Sequence, residues 1–225
     1  EILIGLVGSE MCIRDRIELV NREVRSQLGG DAELLHYEDP SILSEIREHG
    51  YVTTAPASRL ISMFMQAAQD GADAILNICS SVGEVADCAQ DAARYIGVPI
   101  VRIDEEMCRD AVRRGRRIGV MATLPTTLEP TKNTVKRVAR EMNREITIVD
   151  SLVDGAFGLD QDQFRALLLN NAEQIKDRID ILLLCQGSMA YCEKYLEEKI
   201  GVPVVSSPRY GAAALKEALK AKGVL

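Results

Sequence analysis

The residues best equipped to do chemistry in this chain are two cysteines in similar surroundings. Cys79 closes the apolar run Asp73-Ala-Ile-Leu-Asn-Ile-Cys79, and Ser80-Ser81-Val82-Gly83-Glu84 follows it. Cys185 closes the run Asp180-Ile-Leu-Leu-Leu-Cys185, and Gln186-Gly187-Ser188 follows it. Each apolar run reads as a strand and each polar segment as the start of a helix. A thiol beside a helix N-terminus ionises below its ordinary value of about 8.5, because the helix dipole favours thiolate. The free N–H groups of the same terminus form a carboxylate site. The pattern therefore predicts thiols within reach of a small bound carboxylate. Ser81 and Glu84 have the spacing of a capping box.

A third segment, Gly119-Val120-Met121-Ala122-Thr123-Leu124-Pro125-Thr126-Thr127, gathers hydroxyls and N–H groups after another apolar run. Thr123 and Thr126 are expected to contact a ligand. Thr126 or Thr127 also fits as a helix cap, with Pro125 starting the helix. Gly8-Ser9 occupies the corresponding place earlier in the chain, which makes Ser9 a further candidate. Asn77, Ser80, Ser81, Gln186, Gly187 and Ser188 complete the expected binding set. Cys88, Cys108 and Cys192 fall within helical stretches and read as packing or surface thiols. His36 and His49 have no matched partner and read as structural or exposed. No CxxC or HExxH occurs, so no Cys/His metal site is expected.

These residues need a frame to position them. Strand-like runs fall at Ile2–Val7, Glu33–Tyr37, Ala72–Ile78, Val98–Ile103, Arg117–Ala122, Glu145–Ser151, Asp180–Cys185 and Val202–Ser206. Between them lie stretches of helical period, the clearer ones being Ser58–Asp70, Glu84–Ile96, Glu105–Arg114, Thr127–Met142, Asp160–Arg178, Ala190–Ile200 and Tyr210–Lys222. This alternation predicts an α/β fold with mostly parallel sheets flanked by helices. The near-continuous apolar strands fit sheets covered on both faces. The runs also repeat. Ile96-Gly97-Val98-Pro99 returns as Ile200-Gly201-Val202-Pro203 at an offset of 104, the two cysteines lie 106 apart, and Ile4-Gly5-Leu6 returns as Ile118-Gly119-Val120 at 114. A duplicated half of about 110 residues is expected, giving two pseudo-symmetric lobes. Ligands of open parallel sheets bind beyond the carboxyl ends of the strands. Two such lobes would bring Cys79 and Cys185 to one cleft, on opposite sides of a small ligand.

Composition narrows the function classes. The 225 residues carry 27 Lys and Arg against 34 Asp and Glu, a formal charge of −7. An acidic chain lacks the footprint of a nucleic-acid binder, and no apolar run approaches the ~18–20 residues of a membrane span. Six cysteines are too few for a disulfide scaffold at this length, and nothing at the start reads as a signal peptide, so reduced thiols and a cytoplasmic location are expected.

Together, Asn77-Ile78-Cys79-Ser80-Ser81, Leu184-Cys185-Gln186-Gly187-Ser188-Met189 and Gly119 through Thr127 resemble the aspartate/glutamate/hydantoin racemase family over nearly the whole chain. The second cysteine segment looks closest to the hydantoin racemase type. The family's usual Cys-Asn-Thr is Cys-Ser-Ser here, and the Cys-Thr-His or Cys-Thr-Glu of amino-acid racemases is absent. The resemblance implies two α/β lobes with the active site between them: lobe 1 at 1–99 with 207–225 returning to it, and lobe 2 at 100–206. It implies an isomerase without cofactor, in which Cys79 and Cys185 act as acid and base on opposite faces of a carbon next to a carboxylate. Ser80, Ser81, Thr123 and Gln186 would steady the carbanion. It implies a small carboxylate as partner; composition excludes nucleic acid and membrane, and a homo-oligomer is expected by base rate alone. The segment Glu10–Arg16 does not look like the duplicate's Pro/Thr-rich loop, and the first ~16 residues are expected to be altered or truncated relative to the family.

Three other readings stay open at this stage. One is a cis–trans isomerase or decarboxylase of a small diacid on the same frame, where a single cysteine suffices. Another is a non-enzymatic binding module for small carboxylates. The weakest is a thiol–disulfide oxidoreductase.

Overall fold

The computed structural model describes residues 2–8, 14–29, 32–156 and 158–225. Ser9, Cys12 and the stretch from Glu10 to Ile13 lie outside the described residues, so the expectations for them end with the sequence. All eight expected strands form. The first sheet holds β1 (Ile2–Gly8), β2 (Ala32–Glu38), β3 (Ala74–Asn77) and β4 (Ile100–Arg102) in the order β2-β1-β3-β4. The second holds β5 (Arg117–Ala122), β6 (Thr147–Leu152), β7 (Ile181–Leu184) and β8 (Val204–Ser206) in the order β6-β5-β7-β8. Every pairing is parallel, so helices must return the chain between strands. They are α1 (Arg14–Leu28), α2 (Pro40–His49), α3 (Thr54–Gln69), α4 (Gly83–Cys88), α5 (Gln90–Ile96), α6 (Glu105–Arg114), α7 (Pro125–Glu141), α8 (Gln161–Ile175), α9 (Glu193–Ile200) and α10 (Ser207–Lys222). The helix expected at Glu84–Ile96 is two short helices meeting at Ala89.

Local chemistry explains several boundaries. Asp39 opens α2 by accepting from the Ser41 N–H at 2.9 Å, with Pro40 in the first turn, where its missing N–H costs nothing. Asp160 and Gln163 form a reciprocal capping box at the start of α8. The repeated Ile-Gly-Val-Pro is a helix stop. Gly97 and Gly201 end α5 and α9 at φ 73° and 69°, the left-handed conformation that glycine adopts without steric cost. Each is followed by a proline that cannot continue a helix.

The chain divides into two compact units, 1–103 with 208–225, and 104–207. Because β4 pairs with β3, the first unit runs past residue 99 to Ile103. Its core has two layers. On one sheet face Ile75, Cys79 and Val7 pack with Ile42, Ile46, Leu60 and Phe64. On the other, Ile4, Leu6, Ala74 and Leu76 pack with Val20 and Val24 of α1 and with Ala212, Leu215 and Leu219 of α10. In the second unit Leu182, Leu184 and Met121 pack with Leu168, Ala172 and Leu196. On its outer layer Arg109 and Arg137 tie α6 to α7 through Glu105 and Glu141, at 2.6–3.2 Å.

One acid in each unit fixes the central pairing. The Asp73 carboxylate accepts the Leu3 N–H at 2.9 Å, and its own N–H donates to Leu3 O at 2.7 Å. The Asp180 carboxylate accepts the Arg116 and Arg117 N–H groups at 2.9 and 2.8 Å and the Arg117 guanidinium at 2.7 Å. Its N–H donates to Arg117 O at 2.7 Å. The backbone and side-chain donors of Arg117 hold the Asp180 carboxyl down at about 2, below its ordinary 3.8. A folded-state value below the unfolded one adds stability above the unfolded value and loses it as pH falls through the folded one. Asp180→Asn should therefore melt below the wild type near neutral pH. The gap between the two melting temperatures should close as pH falls from about 3.8 towards about 2, measured by thermal denaturation across that range.

Candidate functional site

In a sheet ordered 2-1-3-4 the chain reverses its direction of travel between the first and third strands, and ligands settle outside the carboxyl ends of that pair. In the first unit the pair is β1 and β3, and the residues beyond β3 are Ile78, Cys79, Ser80 and Ser81. In the second it is β5 and β7, and the residues beyond them are Thr123 and Cys185, Gln186, Gly187, Ser188. The structure thus puts every described candidate at one or other of these two strand ends. Each unit supplies one set.

Around Cys79 the chain is tightly packed. Asn77, Cys79, Ser80 and Ser81 are all buried. Asn77 Nδ2 donates to the Cys79 carbonyl at 3.1 Å, while its buried Oδ1 has no hydrogen-bond partner. Cys79 is extended, at φ −112° and ψ 108°, and caps a 3-10 turn over Ser80–Val82. The expected capping box is displaced by this turn: the N-cap of α4 is Val82, without a side-chain cap bond. The turn is held from behind by Arg102, whose side chain is 1% exposed and pairs with Asp87 at 2.6 Å. Its guanidinium lies against Gly83, where any Cβ would collide with it. A single arginine in an otherwise apolar strand was the sequence signal for this support.

Around Gln186 the site is more open. Gln186, Gly187, Ser188, Thr123 and Thr126 are all partly exposed, and a Cβ at Gly187 would meet nothing within 4 Å. The Gln186 amide joins the two strand ends. Its Oε1 accepts from Thr123 N at 2.7 Å and from Thr123 Oγ1 at 3.1 Å, and its Nε2 donates to Thr123 Oγ1 at 2.8 Å. Because a backbone N–H can only donate, the amide oxygen must face Thr123. Neither Thr126 nor Thr127 caps α7. Pro125 takes the first helical position and leaves Leu124 as the N-cap. Thr126 Oγ1 is buried without a hydrogen-bond partner.

The two cysteines do not occupy equivalent positions. Val7 pairs with Asn77 and Met121 with Leu184, and the next N–H in each case, Ile78 and Cys185, donates back to Val7 O and Met121 O at 2.9 and 3.0 Å. Counted from the paired acids, Cys79 is six residues after Asp73 and Cys185 five after Asp180. The offset of 106 between the thiols is therefore one short of the ladder's own 107. Cys185 matches Ile78. Gln186 matches Cys79: it is extended at φ −116° and ψ 136° and caps the next 3-10 helix, Gly187–Cys192. Neighbouring residues of extended chain point to opposite faces, so a slip of one residue matters.

The consequence for Cys185 reverses an expectation. Instead of a lowered value, burial pushes its thiol up to about 12, against a hydrogen bond with Thr131 that pulls it down; the charges of Asp104 and Asp150 add to the rise. Its sulfur lies under α7, where Thr131 donates to Thr127 O at 2.9 Å. Thr131, Asp104 and Asp150 escaped sequence reasoning. The Thr127–Thr131 spacing of one helical turn was the available signal. Cys108 and Cys192 are buried and Cys88 is exposed, and none of the three is in a disulfide; no group of three or more metal-ligating side chains occurs among the described residues. No helix of the described residues is long and apolar enough to cross a membrane.

Gly83→Ala should destabilise the chain by about 1–3 kcal/mol, since the methyl group must displace a buried, ion-paired guanidinium. Urea denaturation measures this. A Gly97→Ala control, in open space but at positive φ, separates backbone strain from the clash.

The family model described as Asp/Glu/Hydantoin racemase matches residues 4–215. No curated protein matches the chain in sequence. Among solved structures it is similar to a glutamate racemase from Bacillus anthracis, at 18% identity and a TM-score of 0.76, covering 100% of this chain and 84% of that one. An allantoin racemase from Klebsiella pneumoniae aligns at 19% identity and 0.67, covering 99% and 89%. An unliganded arylmalonate decarboxylase aligns at 16% and 0.58, covering 96% and 93%. At these identities the likeness is one of fold.

Proposed function

The chain belongs to the Asp/Glu/hydantoin racemase family, and from that premise we propose that it moves a proton at the carbon next to the carboxylate of a small amino acid or related carboxylate, or at the equivalent carbon of a hydantoin, with Cys79 as the proton-carrying thiol. The observation that carries this reading is the placement of Cys79. It caps a tight turn at the carboxyl end of β3, beside the strand pair where parallel sheets bind ligands. As thiolate, Cys79 Sγ would take the proton, the C–H electron pair staying on carbon and spreading into the carboxylate; the thiol would return a proton in the second half of the reaction. Hydroxyl and N–H donors at Ser80, Ser81 and Thr123, with the Gln186 amide, would stabilise the charge that develops. Ser188 and Thr126 complete the binding set.

A second reading is favoured by the depth of Cys185. A racemase or epimerase needs a second proton-transferring group for the opposite face of the carbon. A cis–trans isomerase or decarboxylase of a small diacid needs one thiol only. A thiol held up at about 12 serves the first poorly and is irrelevant to the second.

The test is solvent exchange. In deuterated water the wild-type chain should label the carbon next to the carboxylate in at least one of aspartate, glutamate, alanine, malonate or a 5-substituted hydantoin. Cys79→Ala should lower that rate by about a hundredfold or more. Chiral chromatography of the labelled product distinguishes inversion from retention. Undiminished exchange in Cys79→Ala would remove Cys79 from the reaction.

A further inference from the structure

Within the second unit, the place matching Cys79 is filled by an amide. Three independent features agree on that match. The ladder registers give it, since Asn77 and Leu184 are the last paired residues of β3 and β7. The backbone gives it, since Cys79 and Gln186 share an extended conformation and each caps a 3-10 segment. The packing gives it as well: Cys79 joins the layer that also holds Ile75, the match of Leu182, while Cys185 hydrogen-bonds Thr131 on α7. α7 follows the first strand of its sheet as α1 does in the first unit, and Ile78 packs on the α1 side.

We propose that Gln186, and not Cys185, is the second unit's functional counterpart of Cys79: a ligand-holding amide oriented by Thr123, with Cys185 a buried structural thiol that takes no part in proton transfer. This rests on the proton-transfer reading above and narrows it. A neutral amide donates and accepts hydrogen bonds but does not exchange its charge state. Thr123 consumes the oxygen and one N–H of Gln186, and the second N–H of Nε2 remains for an anionic oxygen. Gly187, with open space where a side chain would stand, leaves room for that oxygen to approach. Thr126 Oγ1, buried and without a hydrogen-bond partner, lies in the first turn of α7, three residues after Thr123. Cys185, by contrast, has no exposed surface.

Variants and a labelling experiment test this. In the deuterium-exchange assay, Cys185→Ser and Cys185→Ala should keep the rate within about threefold of wild type. Gln186→Leu, similar in shape but without the amide, should raise KM about tenfold, the loss of one hydrogen bond to a charged group, while changing kcat less. Independently of activity, iodoacetamide should modify Cys185 in the folded chain more than about a hundredfold more slowly than in urea, as mass mapping of the peptides would show. Loss of exchange in both Cys185 variants at unchanged melting temperature would overturn the proposal, as would equal alkylation of Cys185 folded and in urea. An unchanged KM in Gln186→Leu would overturn the role of Gln186. Were the wild type to exchange none of the compounds, the proposed function would fall, while the alkylation result would still decide whether Cys185 is buried structure.

Discussion

The register of two strand pairs, β1 with β3 and β5 with β7, is the constraint on which the rest depends. Parallel strands carry no hairpin to set their alignment, so something else must. In each unit an aspartate at the entrance of the third strand binds the backbone of the first strand through its side chain and its own N–H. A one-residue slip would turn every buried side chain of the strand to the opposite face. With the entrance fixed, the position of the residue leaving the strand depends only on how many residues intervene. That count differs by one between Asp73–Cys79 and Asp180–Cys185, and this single residue decides which side chain arrives at each strand end.

Two buried side chains of the same type have different surroundings. Cys185 and Cys79 are both thiols on the carboxyl side of a strand. One sits in the layer beneath α7, with two carboxylates in range and little water, surroundings that oppose a negative sulfur. The other opens a turn whose next residues are serines. In the second unit the corresponding opening belongs to Gln186, and its threefold link to Thr123 ties the ends of β5 and β7 together. The two strand ends are thereby held together by one side chain, and the same contact orients its amide.

Much of this was legible in the residues, and the parts that were not share a physical cause. The eight strands follow from apolar runs bounded by Gly, Pro and charged residues, and the Ile-Gly-Val-Pro repeat marks true helix stops because glycine at positive φ ends a helix wherever it falls. The placement of the candidates was also readable, since Asn77 to Ser81, Thr123 and Gln186 to Ser188 all lie near strand ends. The alignment of Cys79 with Cys185 matched like residue with like, whereas the ladder registers and the paired aspartates, at an offset of 107, match Cys79 with Gln186. The capping box at Ser81 failed for a related reason: a 3-10 turn uses the same residue types as an α-helix start. The depth of Cys185 was not readable at all, because Asp104, Thr131 and Asp150 reach it from three different elements.

The boundary between the units has its own consequence. Neither half of the sequence supplies all the helices of its own sheet. The helix after β4 belongs to the second unit, and the helix after β8, α10, covers the first sheet with Ala212, Leu215 and Leu219. Residues 1–103 are synthesised before α10, so Ile4, Leu6, Ala74 and Leu76 emerge with only the α1 part of their cover, Val20 and Val24, in place. The first sheet is thus completed only after the second unit has been made, and the nascent chain carries a partly covered apolar face until α10 emerges.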